Sequence, residues 1–276
     1  MLDKAIYTNH LSESIRFGQD GVFISDSQLR NYSWNYDTNF DEITNFRKGV
    51  VTKTLTIIIC ADTKEEGIQK RNRIYEVFDR DVLTQNAGSL YIGDYYCKGY
   101  FVTSEKSQWF ISKRYLVNKV TFVSDSPDWN RYLEYVFKEM DGGSTTVGAK
   151  RYPYKYSYWY SNLNSTGTIS NLAIQDSDFI MRIYGATTNP LIQIGNNTYQ
   201  VNVSLSASER LEINSADKTI YVIKQNGQKE NVFWSASKVS YIFEKIPSGK
   251  VQVAWSGNFS FDLILMDKRS EPPWTI

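Results

Sequence analysis

One stretch of this chain, DTKEEGIQKRNRIYEVFDRDV over Asp62–Val82, reads as a long amphipathic helix, and almost everything around it reads as strand. Ile68, Tyr75, Phe78 and Val82 fall on one stripe at helical spacing, flanked by Ile74 and Val77. Glu65, Glu66, Lys70, Arg73, Glu76 and Asp79 fill most of the remaining surface. Asp62 stands at the N-cap position, and Glu65 three residues on completes a capping-box pattern. Gly67 weakens the helix by about 1 kcal/mol relative to alanine. Burying the stripe is worth about 6–10 kcal/mol at most, and only if a sheet is there to receive it. The first half of the chain is therefore expected to be one helix covering or plugging a curved antiparallel sheet.

Aromatic residues make up 15% of the chain, including 20 Tyr and 7 Trp. That share suits half-buried strands, and equally a sugar-stacking or protein-binding surface. Net charge is +1. A phosphate-backbone binder needs a concentrated positive face, whereas the longest basic grouping, Lys70, Arg71 and Arg73, lies on the solvent side of the expected helix. Nucleic acid is thus not an expected partner. No apolar run approaches the roughly 18 residues of a membrane span, and MLDKAIYTNH lacks a signal-peptide core, so the protein is expected to stay in the cytoplasm where it is made. Cys60 and Cys97 read as two separate buried thiols, with a disulfide as the alternative.

The chain then reads in order. Val22–Ser25 is a first strand, and Tyr32–Thr38 alternates Tyr32, Trp34 and Tyr36 on one face. The polar loop Asn39–Gly49 carries Phe40 and Phe46, two large apolar side chains that serve either an interface or packing back onto the domain. Val50–Cys60 alternates first and turns continuously apolar, as a strand covered on both faces would. Gly88–Ile92, Tyr95–Ser104 and Tyr115–Ser124 are consecutive antiparallel strands. Trp129–Met140 fits helix or strand, with aromatic and β-branched content favouring strand. Residues 141–150, DGGSTTVGAK, are the expected linker between an N-terminal domain, 1–140, and a C-terminal domain, 151–276. In the second domain the expected strands are Phe179–Tyr184, Leu191–Ile194, Thr198–Val203, Glu209–Asn214, Thr219–Lys224, Lys250–Trp255 and Ser260–Met266. Asn196–Asn197 and Asn226–Gly227 are the expected hairpin turns. Short strands so spaced make a sandwich or jelly roll.

Catalytic constellations are scarce. The single histidine, His10, sits in a polar N-terminal segment with no nucleophile or orienting acid beside it in sequence. No Walker A, G-x-S-x-G, H-E-x-x-H or paired-cysteine zinc spacing occurs. The close acidic pairs in loops are Asp41 with Glu42 and Asp176 with Asp178; the latter precede a strand, where turns favour Asp for backbone reasons, and two carboxylates fall short of a calcium shell. No enzyme activity, cofactor or metal is expected. The ladder Tyr152–Tyr160, with Trp159, Trp234 and Trp255, is either the core face of a strand or a sugar platform; Tyr154, Tyr158 and Trp159 are then the candidate glycan contacts of a carbohydrate-binding module.

Taken in order, a strand ending TIIIC, the helix NRIYEVFD, SLYIGDYYCKGYFV, the Gly/Ser linker, SGNFSFDLILMD and a terminal EPPWTI resemble the distal tail protein, the baseplate hub, of long-tailed phages that infect Gram-positive bacteria. The likeness is strongest over Leu55–Ser104. The resemblance implies a mainly β chain: an N-terminal β-barrel or sandwich with one flanking helix, about 62–82, and a galectin-like C-terminal β-sandwich projecting outward. It implies a hexameric ring in the virion tail tip, joined to the tail-tube protein on one face and to the tail-associated lysin or fibre protein on the other. The second domain would present receptor-binding proteins or touch the host surface. A ring subunit must grip its neighbour, and the loop with Phe40 and Phe46 is the candidate arm.

Overall fold

The computed structural model describes residues 4–109, 115–139 and 165–274. The chain is mainly β, with one α-helix among the described residues, and divides into two compact units: Met1–Arg131 with Lys268–Ile276, and Tyr132–Asp267. The segment 141–150 and the ladder Tyr152–Tyr160 lie outside the described residues.

The first unit contains β1 (Ala5–Thr8), β2 (Ser14–Arg16), β3 (Val22–Ser27), β4 (Asn35–Asn39), β5 (Glu42–Arg47), β6 (Val51–Cys60), α1 (Lys64–Thr84), β7 (Gly88–Ile92), β8 (Tyr95–Trp109), β9 (Tyr115–Ser124) and the start of β10 (Trp129–Phe137). Strands follow the antiparallel order β3-β6-β9-β8-β7-β1-β2. The long β8 serves both ends of this path: Tyr95–Gly99 pairs with β7, and from Tyr100 onward it pairs with β9, with a bulge between Phe101 and Thr103. The corner at Gly18–Gly21 links the two extremes. Phe17 N donates to Ala5 O at 2.8 Å, Gly18 N to Val22 O at 2.6 Å and Cys60 N to Gly21 O at 2.7 Å, so the sheet curls toward closure. Gly21 sits at φ +74°, and a Cβ there would lie 2.2 Å from Cys60 O, so only glycine fits the corner.

Strand β6 alternates throughout. Leu55, Ile57 and Ile59 are buried while Ile58 and Cys60 are half-buried, which corrects the expectation of a doubly covered end. The two cysteines are both free. Lys53 occupies an inward position of β6; its Nζ donates to Leu29 O at 2.8 Å and Asn31 O at 2.5 Å, and burial holds its pKa below the usual lysine value.

The helix begins one residue later than its expected cap would place it. Thr63, not Asp62, is the N-cap: its hydroxyl accepts from Glu66 N at 3.2 Å, and Glu66 Oε2 accepts from Asp62 N at 2.9 Å. Both residues are good caps, and the reach of Glu66 settles the frame. The buried face is also rotated. Gly67, Ile74, Val77, Phe78 and Asp81 face inward, while Val82 is exposed and Ile68 and Tyr75 are only half-buried. Phe78 stacks on Phe101 at 4.1 Å, and Tyr7 stands edge-on to both.

The second unit takes the rest of β10, then β11 (Ser165–Asn171), β12 (Asp178–Tyr184), β13 (Thr187–Thr188), β14 (Leu191–Ile194), β15 (Asn197–Gln200), β16 (Ser204–Leu205), β17 (Arg210–Asn214), β18 (Thr219–Ile223), β19 (Lys229–Asn231), β20 (Gly249–Trp255) and most of β21 (Ser260–Arg269). One sheet runs β19-β18-β17-β12-β21 and the other β11-β20-β14-β15. Phe179, Met181, Leu211 and Leu263 from the first sheet and Ile169, Ile192, Val253 and Trp255 from the second share one core, which makes the unit a sandwich. The turn between β14 and β15 is Gly195–Asn196, one residue earlier than expected: Ile194 pairs with Asn197, and Gly195 supplies φ +57°. Thr198–Val203 is a strand only as far as Gln200. Strand β11 carried no apolar alternation strong enough to be read from sequence.

Tyr199 lies in this core, edge-on to Phe179 at 5.2 Å, with its hydroxyl donating to Glu244 O at 2.7 Å. Burial pushes its phenol up to about 12. The neutral form is the one the fold holds, so stability is intact below about pH 10 and is lost as pH rises toward 12. The loss attributable to Tyr199 is about 3 kcal/mol. Urea melts between pH 9 and pH 12 should show this fall, and in Tyr199→Phe the slope of stability against pH should shrink by one proton's worth. An unchanged slope in that variant would refute the assignment.

Candidate functional site

The two strands β4 and β5 pair with each other and with no other described strand. They form a ribbon whose register sets Asn35 against Arg47, Tyr36 against Phe46 and Asn39 against Glu42, with Phe40–Asp41 as the two-residue tip. The stretch read from sequence as a loop, Asn39–Gly49, is thus mostly the tip and return strand of a hairpin. Every residue of β5 is exposed, and β4 is exposed except at Asp37. Phe40 is 96% exposed and Phe46 58%; Tyr36 and Ile43 are exposed beside them. An isolated two-stranded ribbon is marginally stable in water, and an apolar surface of this kind on a soluble protein marks a contact.

The tip is unusual in its backbone as well. Phe40 has φ +52°, a conformation that costs a bulky residue energy and that glycine or asparagine would adopt more easily. Since the side chain is almost wholly exposed, the fold of this unit gains little from phenylalanine there. The base of the arm is held firmly: Lys48 Nζ lies 2.5 Å from Asp128 Oδ1 and 4.4 Å from the centre of the Trp34 ring. Along the ribbon, Arg47 pairs with Asp37 at 3.0 Å. The two acids at the tip, Asp41 and Glu42, make no ion pair among the described residues.

The residues that sequence reasoning weighed for chemistry are placed elsewhere. His10 is bound to the helix: Asp81 Oδ1 accepts from His10 N at 2.9 Å and lies 2.5 Å from His10 Nδ1, while Asp81 Oδ2 accepts from Tyr7 OH at 2.5 Å. Asp81 is 0% exposed, and burial with the Asp81 contact drives the Tyr7 phenol far above its ordinary pKa. This cluster ties β1 and the loop after it to the helix. Asp176 accepts from Ser248 N at 3.1 Å and Asp178 pairs with Lys245 at 3.4 Å, so the two acids hold loops rather than converge. Among the described residues no group of three or more His, Cys, Asp or Glu is gathered as a metal would require.

Of the proposed sugar platform, Trp255 is core, 3% exposed, with Nε1 donating to Phe259 O at 3.2 Å. Trp234 is 88% exposed on a short turn, edge-on to Phe233 at 5.5 Å, with Tyr241 and Val239 also exposed. Tyr154, Tyr158 and Trp159 lie outside the described residues. No described helix is long and apolar enough to cross a membrane.

No family model matches the chain, and no curated protein matches it in sequence. Solved structures do match it in fold. The SPP1 Dit (gp 19.1) protein, described as a paradigm of the hub adsorption apparatus in phages infecting Gram-positive bacteria, aligns with a TM-score of 0.60 over 98% of this chain and 100% of its own, at 8% identity. The phage P2 baseplate in its activated conformation with Ca aligns with a TM-score of 0.57 over 99% of this chain and 100% of that one, at 14% identity. The same baseplate with Sr gives a TM-score of 0.56 over the same shares, at 15% identity. At these identities the likeness is one of fold. The chain has the fold of phage hub and baseplate proteins over its whole described length, the same proteins to which its sequence pattern points.

Proposed function

We propose that this chain is a structural subunit of a phage tail tip, a baseplate hub. Copies close into a ring, with six the number implied by the resemblance, around the tail channel. One face of the ring meets the tail-tube protein and the other the tail-associated lysin or fibre protein, while the second unit presents receptor-binding components. The observation that carries this reading is the full-length likeness in fold to SPP1 Dit and to the phage P2 baseplate. The exposed arm supports it independently. A ribbon with Phe40 and Phe46 exposed suits a head-to-tail contact, and head-to-tail contacts close into rings when the rotation permits. The absence of a catalytic motif in the sequence is consistent with a part that works by shape.

Electron microscopy of tails carrying a tagged copy of this chain tests the reading. The tag is expected at the tail tip, on a ring with a central channel and six-fold averages. A tag distributed along the tube, or absent from tails, would sink it.

A further inference from the structure

A cavity of about 560 Å³ opens between β2, the Gly18–Gly21 corner and helix α1. Buried side chains of Ile15, Val22 and Ile74 line it, and Arg16, Lys70 and Arg73 stand around it. Its size is that of a pocket made to take a side chain or small ligand. The positive groups are not all neutralised within the unit. Lys70 pairs with Glu66 at 2.7 Å, and Arg73 donates only to Ser14 O at 3.4 Å. Arg16 is exposed and makes no ion pair among the described residues. Of the two acids that also line the cavity, Glu13 is engaged by Arg80 and lies within the field of Arg73, which leaves Asp20 against Arg16 and a partly balanced Arg73.

The arm carries the complement. Phe40 is an almost wholly exposed apolar side chain, followed directly by Asp41 and Glu42, neither of them in an ion pair among the described residues. A ribbon of five residues a side projects the tip about 17 Å from its base. Apolar floor and positive rim on one element, and apolar tip and negative flank on another, are the two halves of a heterologous contact. Resting on the ring reading above, we infer that Phe40 of one copy inserts into this cavity of the next copy, with Glu42 against Arg16 and Asp41 against Arg73. The docking patch and the arm are separate on each copy, so the contact propagates head to tail.

The test is a photocrosslinking benzoylphenylalanine in place of Phe40 in the full-length chain, assembled into tails. Mass spectrometry is expected to find crosslinks from position 40 to residues 15–22 or 70–74 of another copy. Rings that form normally but crosslink elsewhere, or not at all, overturn the docking site and leave the hub reading standing. Tails with no ring of this chain overturn the hub reading, and the contact with it. Charge exchange gives a second arm: Arg16→Glu and Glu42→Arg should each weaken assembly about thirtyfold or more, and the two together should recover most of it. A double variant no better than its parents would refute the pairing.

Discussion

Replacing residues 36–46 by Asn-Gly is expected to give a protein that melts within about 1 °C of the parent yet no longer self-associates. Asn35 and Arg47 face one another in the ribbon, so a two-residue turn can close the shortened hairpin without strain. The deleted residues contribute no buried surface: β5 is exposed along its length, and within β4 only Asp37 is half-covered. Surface changes of this kind cost a fold little. Self-association, by contrast, loses Phe40 and Phe46, the apolar anchors of the arm, and contacts built on a few buried aromatic residues fail when those are removed. Sedimentation or light scattering on the parent and the shortened chain, under conditions where the parent assembles, measures the difference. Equal assembly by the two would mean that the arm is not the contact element.

The second large effect is expected at Asp81. Asp81→Ala should destabilise the first unit by about 3–5 kcal/mol, which for a unit of this size lowers its melting temperature by roughly 10–20 °C. The carboxylate is fully buried and serves three donors, Tyr7 OH, His10 N and the His10 ring. Without it Tyr7 OH keeps only Gly99 O, at 3.4 Å. The site is also tight on the other side: a Cβ at Gly88 would lie 2.4 Å from both Asp81 Oδ2 and Tyr7 OH. Tyr7→Phe, which removes one donor and leaves the charge with its other two, should cost about 1–2 kcal/mol. If Asp81→Ala unfolds within 1 kcal/mol of the parent, the cluster is not what holds β1 to the helix.

Much of this arrangement could be read from particular residues. Alternating Leu55, Ile57 and Ile59 announce β6, and the strands expected at Gly88–Ile92 and Tyr115–Ser124 stand at those bounds, while β8 runs on from the expected Ser104 to Trp109. Over Trp129–Met140 the spacing fits helix and strand alike, and the aromatic and β-branched content points to the strand that is found at Trp129–Phe137. The arm was legible as a segment, through Phe40 and Phe46, but not as a hairpin. Its outgoing strand β4 overlaps the alternation of Tyr32, Trp34 and Tyr36, whereas the return strand β5 is exposed along its length, so no alternation between inside and outside survives there to reveal it. Strands β1 and β2 went unseen because at four and three residues they are too short for a period to show.

The chain's local chemistry by itself determined that there would be one helix and that strands would surround it. These follow from periodicity and turn residues, which act over a few positions. Only the tertiary structure decided which side of the helix faces inward. The apolar stripe through Ile68, Tyr75 and Val82 yields to one through Gly67, Ile74 and Asp81, because Tyr7 and His10 satisfy a buried carboxylate from more than seventy residues away. It likewise brought Arg16 beside Arg73 at the rim of one cavity. Long-range partners change the cost of burying a group, and no short window of sequence contains them.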